Sequence, residues 1–305
     1  MTEAGIEIAI QLNTLARIEG DGFRAKVYFS PLNQRIQVLE YEARDTERMM
    51  ASLARGAREA GFGKVFLKAP VHERGGFEAA GMTAEGTITG YFAGQPAVVM
   101  SLFLTDERRS RPFADEQDEI LASIRSRSAD ASVPDLPAKY LMADATPADS
   151  LELALLYGRV FDSYPFPITE ADYLVTTMKS NVVYRIVRDG LGEIVAAASA
   201  ETDPEHRNAE MTDFATLRSQ RGLGLAQHIL AALEDDMVER GIPNLYTIAR
   251  ARSAGMNRVF YNRGYEWTGT LVNNCHIAGQ FEDMHVWCKT LEIQAGRTLR
   301  YTKDL

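Results

Sequence analysis

Apolar positions in the later part of the chain change their spacing several times and so mark a series of strands and helices. Alternation of apolar and polar residues predicts strands, and apolar residues three or four positions apart predict helices. The helix at 222–240, for example, is apolar at Leu225, Ile229 and Met237. The predicted elements are strands at 140–143, 181–188, 193–200, 208–217, 245–249, 265–273 and 282–291, and helices at 148–161, 170–179, 222–240 and 254–263. The order β-α-α-β-β-β-α-β-α-β-β indicates an α/β class with a mixed sheet.

A shorter series of elements occupies the first hundred residues. They are a hairpin at 24–29 and 35–41, a helix at 46–61, a strand at 64–68, a helix ending at Ala80, and a hairpin at 83–92 and 97–104. Gly61 and Gly81 stand where helix C-caps are expected, because glycine adopts the left-handed conformation without strain. We therefore expect a second, smaller unit here.

Between these regions the sequence becomes rich in charged residues, serine and proline. Such a composition is typical of a linker, although residues 114–127 have a helical pattern. The chain has 305 residues, which exceeds the length at which a single core stops growing. The predicted organisation is a first domain at 1–105, a linker at 106–138, a second domain at 139–291 and a C-terminal tail at 292–305.

Charge and cysteine content restrict the function classes. The chain has 33 Lys and Arg against 42 Asp and Glu, a net charge of −9, which disfavours nucleic acid because phosphate binding needs a basic surface. Cys275 and Cys288 have no metal-ligand spacing, so we expect neither a disulfide framework nor a metal. Residues 1–12 lack the cationic start of a signal peptide, and the longest apolar run, 97–104, is too short for a membrane span. We expect a cytoplasmic protein without membrane or nucleic-acid partners.

The segment Arg221-Gly222-Leu223-Gly224-Leu225-Ala226 lies between a predicted strand and the long helix. Its glycines allow a tight turn with exposed backbone N–H groups, and a helix N-terminus attracts anions. Arg218 and Arg221 add positive charge, so a pyrophosphate is the expected ligand. The alternative is a glycine-rich turn that only begins the helix. The other glycine-rich phosphate loops do not fit. The segment lacks the Gly-Lys-Ser/Thr ending of a nucleotide triphosphate loop, and the chain has no early βαβ unit with the spacing of a dinucleotide-binding loop.

This Arg-x-x-Gly-x-Ala placement and the order of elements resemble the Gcn5-related N-acetyltransferase (GNAT) superfamily over about residues 139–291. The resemblance implies the GNAT fold, a mixed central sheet flanked by helices, and acetyl-CoA as cosubstrate without a metal. It also implies that Phe214, Ala215 and Thr216 lie along the pantetheine, and that a backbone N–H of Phe214 or Ala215 stabilises the oxyanion. The phosphate cradle implied by the resemblance consists of Arg221, Gly222, Gly224 and Ala226.

Acetyl transfer to an amine requires that the amine lose a proton and that the leaving thiolate be protonated or held. Residues 209–215 resemble the strand that carries the general base in histone-type members, which implies this role for Glu210; the alternative is a solvent-facing strand residue. The tyrosine acid of many members precedes a closing Gly-aromatic pair by four residues, and Phe260 stands there in this sequence. Tyr261 is the nearest candidate acid, although one residue turns a helical side chain by about 100°.

Three longer stretches, 161–168, 208–216 and 246–257, resemble the β-lysine N-acetyltransferases. These enzymes acetylate the terminal amine of β-lysine and form the compatible solute N6-acetyl-β-lysine, which implies a role in osmoadaptation. Such a substrate has two ammonium groups and one carboxylate. The candidate ammonium ligands are Glu201, Glu210 and Asp213, the candidate carboxylate ligands are Arg250 and Arg252, and the aromatic residues of the amine channel are Tyr164 and Phe166.

Each of these substrate residues also has a purely structural alternative. The arginines can form surface ion pairs, and the two aromatic residues can cap the core. Asp213 faces away from Glu210 if their strand is regular, whereas a β-bulge would change its direction. Other small amines, such as an amino acid or a polyamine, are alternative acceptors. A non-catalytic acetyl-CoA sensor is an alternative of another class, but mere binding does not need a base.

The first domain repeats the order of the later part of this fold. Gly81-Met82 stands in the place of Gly264-Tyr265, but no glycine loop precedes the helix at 46–61. We interpret residues 1–105 as a degenerate GNAT-like domain that does not bind CoA. It is expected to pack against the second domain, to help form the substrate cleft, or to mediate a homodimer.

Overall fold

A computed structural model describes residues 15–133, 135–277 and 279–293. Within them the strands are β1 (Leu15–Gly20), β2 (Phe23–Ser30), β3 (Arg35–Ala43), β4 (Lys64–Pro70), β5 (Thr83–Phe92), β6 (Gln95–Phe103), β7 (Leu141–Asp144), β8 (Val182–Arg188), β9 (Ile194–Asp203), β10 (Asn208–Thr216), β11 (Asn244–Arg250), β12 (Glu266–Ile277) and β13 (Gln280–Thr290). The helices are α1 (Thr46–Glu59), α2 (Arg74–Ala79), α3 (Asp106–Arg109), α4 (Ala114–Arg125), α5 (Ser150–Val160), α6 (Ala171–Met178), α7 (Leu225–Glu239) and α8 (Ala254–Asn262).

The strands form one mixed sheet in the order β1-β2-β3-β4-β6-β5-β12-β13-β11-β10-β9-β8-β7. The parallel neighbours are β3 with β4 and β10 with β11, because α1 and α7 connect these pairs. The remaining neighbours are antiparallel. The predicted α/β class with a mixed sheet flanked by helices is confirmed.

The strand order is nearly symmetric about the centre of the sheet. The first half (residues 15–105) and the second half (residues 139–293) each place a parallel pair beside a terminal hairpin, β4-β6-β5 and β11-β13-β12. This arrangement supports the interpretation of the first half as a related unit. The domain boundaries stay a prediction, and the predicted tail lies outside the described residues from 294 onwards.

All predicted elements of the second half are present in the predicted order. The long helix begins at Leu225 and not at 222, because Gly222 and Gly224 have φ angles of +81° and +74° and cannot belong to a right-handed helix. Strand β1 was not predicted. Of the six residues in this strand, Ile18 alone is buried. The strand therefore shows hardly any alternation of buried apolar and exposed polar positions.

Residues 106–138, predicted as a linker, contain α3 and α4 and pack against both halves. Leu121 and Ile124 of α4 belong to the core of the second half. The guanidinium of Arg108, which is buried, donates hydrogen bonds to the carbonyl oxygens of Asn33 and Asn273, each at 2.8 Å. This segment therefore ties the halves together.

The halves meet where β5 pairs with β12, at Gly86 and Gly269. A side chain at Gly269 would overlap the backbone of Glu85 and Gly86, so glycine permits this close approach of the strands. Behind it, the buried ammonium of Lys64 donates to Glu85 at 2.9 Å and to the carbonyl oxygen of Val272 at 2.7 Å. In the part of the chain that the structure describes, we find no helix with both the length and the apolar character to cross a membrane.

Candidate active site

A β-bulge in the middle of β10 opens the sheet beside it. The register of β10 with β9 shifts between Thr212 and Ala215, and Asp213 within the shift has a φ of +56°. Strands β10 and β11 pair from Asn208 to Glu210 and separate beyond that point. The divergence leaves a gap between two neighbouring strands, where their backbone groups can pair with an extended ligand.

A cavity of about 590 Å³ occupies this gap. Its walls come from β10, β11, α8 and the loop before α7, and its lining includes Thr212, Phe214, Thr216, Ile248, Arg250 and Phe260. Aromatic packing shapes one side, because the ring of Phe260 meets the rings of Phe214 and Tyr265 edge-on at centroid distances of 5.4 and 5.2 Å. The cavity is thus mostly apolar with a polar end, as expected of a small-molecule site.

The loop 221–226 forms that polar end. Gly222 and Gly224 both have positive φ angles, and a Cβ atom at either would meet open space. The glycines are therefore required by backbone conformation and leave room in front of the loop. Among the described residues of α7, the first turn has no acidic side chain, and its N-cap, Gly224, offers no capping side chain. These features fit a bound pyrophosphate, which would find unshielded N–H groups and the positive helix end.

Most of the predicted cofactor residues lie on this cavity. Phe214, Thr216, Arg221, Gly222, Gly224 and Ala226 line it. Ala215 differs, because its side chain lies in the core, 1% exposed, which leaves only its backbone for the predicted role. Arg221 is exposed, and its Nε donates to the carbonyl oxygen of Thr216 at 3.4 Å.

Three carboxyl groups, those of Glu201, Glu210 and Asp213, form an acidic cluster where β10 and β11 diverge. Glu210 lies opposite Glu201 on β9 and opposite Tyr246 on β11. Burial raises the pKa of the Tyr246 hydroxyl, and the nearby charge of Glu210 acts in the same direction. The bulge turns Asp213 towards the cavity, which it lines. Sequence reasoning did not find Tyr246, although it begins the 246–257 stretch.

Asp213 is firmly held within this cluster. Its carboxylate accepts hydrogen bonds from the hydroxyls of Tyr164 at 2.7 Å and Ser199 at 2.6 Å. Burial raises the pKa of Asp213, and the nearby charge of Glu210 acts in the same direction, whereas the two hydroxyls lower it. Both oxygens have protein partners, so Asp213 positions Tyr164 at the cavity wall and is less available to an ammonium group than its position alone suggests.

The pKa of Glu201 is raised above its ordinary value. Burial raises its pKa, followed by the charges of Glu210 and Asp213. A carboxyl group whose folded-state pKa is raised is destabilising once pH rises above its ordinary range, because the folded protein must then lose a proton that it binds more tightly than the unfolded chain does.

We expect Glu201→Gln to stabilise the protein at alkaline pH. At pH 5 the folded wild type holds a proton on Glu201 and the change is nearly neutral, whereas at pH 9 the variant avoids a buried charge and its Tm is higher by about 2 °C. Thermal unfolding at both pH values measures this. Glu205→Gln, at an exposed position, is the matched control, and an equal Tm change at both pH values would contradict the assignment.

The predicted substrate residues separate into two groups. Tyr164 and Arg250 line the cavity, and Arg250 is held by Glu282, to which it donates at 3.3 Å. Arg252 instead pairs with Glu116 at 3.0 Å and lies over the ring of Phe113, so it anchors the segment that contains α4. Phe166 is 38% exposed and does not line the cavity.

Tyr261 does not reach the cavity. Its hydroxyl donates to the carbonyl oxygen of Arg127 at 3.0 Å, whereas Phe260 lines the cavity one position earlier. The rotation of one helical step accounts for the difference. The structure therefore gives Tyr261 a packing contact in place of the acid role predicted for it.

Within the described ranges, no group of three His, Cys, Asp or Glu side chains is placed to hold a metal ion. The sequence profile of the Acetyltransferase (GNAT) family matches residues 152–265. N-acetyltransferase YodP of Bacillus subtilis is 35% identical over 277 residues, which cover 91% of this chain and 100% of that protein. The chain belongs to the GNAT acetyltransferase family.

As a GNAT family member, the protein is an N-acetyltransferase, and its family uses acetyl-CoA. A second relative, the Beta-lysine N(6)-acetyltransferase of Methanococcus maripaludis, is 35% identical over 266 residues, with 87% of this chain and 96% of that protein covered. Among solved structures, the ribosomal-protein-S18-alanine N-acetyltransferase of Escherichia coli has a TM-score of 0.45 at 16% identity, and the match covers 53% of this chain and 99% of that chain.

Proposed function

We propose that this N-acetyltransferase transfers the acetyl group of acetyl-CoA to the terminal amine of β-lysine and forms N6-acetyl-β-lysine. The observation that carries the proposal is the acidic cluster beside the cavity: Asp213 lines the cavity, as Arg250 does, and Glu201 and Glu210 lie next to Asp213 outside the lining. Two relatives named as β-lysine N(6)-acetyltransferases, each 35% identical to this chain, support this choice of acceptor.

Acetyl-CoA supplies an activated thioester carbonyl. The backbone N–H groups of the loop 221–226 and the start of α7 would hold its pyrophosphate, and the edge of β10 from Phe214 to Thr216 would pair with the pantetheine. Because the bulge interrupts the pairing of β10 with β9 at Asp213 and Phe214, a backbone N–H there can face the reacting carbonyl oxygen. That donor is fixed before the reaction and stabilises developing negative charge.

Glu210 is the proposed general base. An ammonium group has no free lone pair, so it must lose a proton before it can attack. Glu210 lies where β10 and β11 diverge, beside Glu201 and Tyr246. The proton passes from the amine to the Glu210 carboxylate, directly or through a water molecule.

The charge distribution suits a diamino acid. Glu210 offers a carboxylate to the terminal ammonium group, the Glu201 carboxyl group offers an oxygen acceptor to the second ammonium group, and Arg250 offers a guanidinium for the carboxylate at the other end of the substrate. The acetylated product carries one ammonium and one carboxylate and is neutral overall. A neutral, highly soluble product can accumulate without adding net charge, which supports the further proposal that it serves as a compatible solute.

Product analysis tests the acceptor. We expect the purified full chain, given acetyl-CoA, to convert β-lysine to a product acetylated at the terminal nitrogen, identified by mass spectrometry. L-lysine, putrescine and spermidine serve as comparison substrates, with free thiol release as the rate measurement. Turnover of the polyamines without turnover of β-lysine or lysine would show that the acceptor is a polyamine and not β-lysine. Binding of acetyl-CoA without turnover of any amine would favour a sensor.

A further inference from the structure

The first half of the chain places a lysine beside the acidic cluster. Lys68 of β4 donates a hydrogen bond from its ammonium to the hydroxyl of Tyr246 at 2.9 Å. The same ammonium lies over the rings of Tyr91 and Tyr246, 4.7 and 4.8 Å from their centroids. Two aromatic faces and one hydroxyl thus fix the position of this cation.

Backbone contacts hold this arrangement in place. The side chain of Asn208, at the start of β10, donates to the carbonyl oxygen of Tyr91 at 2.6 Å. The N–H of Ala93 donates to the carbonyl oxygen of His206 at 2.8 Å. The end of β5 is therefore fastened to the start of β10, which keeps the ring of Tyr91, one of the two rings around the Lys68 ammonium, next to the cluster.

A continuous chain of contacts connects Lys68 to the proposed base. Its ammonium donates to the Tyr246 hydroxyl, and Tyr246 lies opposite Glu210 in the sheet, close enough for the two side chains to interact. Because the ammonium occupies the oxygen of Tyr246 as an acceptor, the hydroxyl proton is free to point at the Glu210 carboxylate. The contact also brings positive charge to the cluster, and that charge lowers the pKa of Glu201 against the effect of burial.

We propose that Lys68, acting through Tyr246, is a positioning residue that holds Glu210 in the orientation needed for proton transfer. The first half thereby contributes to the active site of the second. This inference rests on the proposed role of Glu210 as base, but not on β-lysine as acceptor. Glu201 of β9 and Asp213 of β10 lie beside Glu210. The other titratable groups around this cluster are Lys68 of β4, Tyr91 of β5, Tyr164, Tyr173 of α6, Tyr184 of β8 and Tyr246 of β11.

Electrostatics predicts what the loss of Lys68 does. Neighbouring carboxylates favour each other's protonation, and an opposite charge at short range offsets this by about one to three pH units. Lys68 lowers the pKa of Glu201, so without Lys68 the cluster should hold its proton on Glu201 to higher pH. Rate is then lost near pH 7 and recovered at higher pH.

The test is the pH profile of kcat/KM for Lys68→Met, measured with whichever amine the wild type turns over best. We expect its acidic limb to move to higher pH by about one unit, with an approximately tenfold lower value at pH 7 that recovers above pH 9. Lys68→Arg, which keeps the charge, should retain most of the wild-type profile. Lys26→Met, at a partly exposed lysine of the first half, is the matched control and should leave the limb in place.

Tyr246→Phe keeps the ring and removes the bridging hydroxyl. We expect it to move the limb in the same direction, and the double variant Lys68→Met/Tyr246→Phe to show less than the product of the two single effects. An equal loss of kcat/KM at every pH, with the limb unmoved, would overturn the proposal and assign Lys68 to packing. If Glu210→Gln leaves the wild-type profile unchanged, the proposed base itself is wrong, an outcome separate from the behaviour of Lys68.

Discussion

Glu210→Gln is expected to lower kcat/KM by about 10²- to 10⁴-fold while leaving acetyl-CoA binding intact. The amide keeps the size of the carboxylate and its hydrogen-bonding capacity towards Tyr246, but it cannot accept the proton of the amine. A positioned general base contributes a factor of this size. Steady-state kinetics with the best amine acceptor, together with calorimetric binding of acetyl-CoA, measure both parts of the expectation.

The control for Glu210 is Glu205→Gln, the same chemical change at an exposed residue that precedes β10. It should be indistinguishable from wild type. If turnover by Glu210→Gln equals that of wild type, then deprotonation of the amine occurs elsewhere, and water or Glu201 becomes the next group to examine.

The second large effect is expected from Gly222→Ala combined with Gly224→Ala. Alanine is strained by roughly 1–2 kcal/mol in the left-handed conformation that both positions adopt. The protein can relieve this strain only by turning the loop and misdirecting its N–H groups. We expect the KM for acetyl-CoA to rise by about two orders of magnitude, with a smaller change in kcat at saturation, because the loop is far from the reacting atoms.

Gly241→Ala is the control that distinguishes the effect of backbone strain from a direct loss of acetyl-CoA binding. Gly241 has a φ of +69° and open space at its Cβ position, as the loop glycines do, but it lies beyond the other end of α7. It should lower the Tm by an amount similar to that of one loop substitution and leave the KM for acetyl-CoA unchanged. A similar rise in KM for the Gly241 variant would show that the loop effect is only a loss of stability.

Local patterns explain why much of the fold was predictable. The alternation in β8, β9 and β10 and the apolar stripe of α7 each depend on residues close in sequence, and the elements of the second half follow the predicted order. The loop 221–226 was predictable for the same reason. Positive φ angles favour glycine, and the start of a helix is visible in the apolar pattern that follows. The sequence of strand β1 has no comparable pattern.

Features that depend on contacts between distant residues were not predictable. Lys68 reaches Tyr246 across 178 positions of sequence, and no periodicity relates the two. The direction of Asp213 depends on a bulge that sequence reasoning left open, and Tyr261 faces away from the cavity by one helical step. The segment predicted as a linker is polar in composition, yet α4 presents buried Leu121 and Ile124 to the second half.

The pairing at Gly86 and Gly269 also determines which strand edges the protein presents to its surroundings. An unpaired strand edge can recruit strands from other molecules and so promotes aggregation. Here each half covers the other's inner edge, and the described sheet ends in two short strands, β1 with six residues and β7 with four. A fragment confined to the second half would expose the edge of β12 around Gly269, where β5 now pairs with it. The first half thus covers part of the inner sheet edge of the second half, at the position where its own inner edge is covered in return.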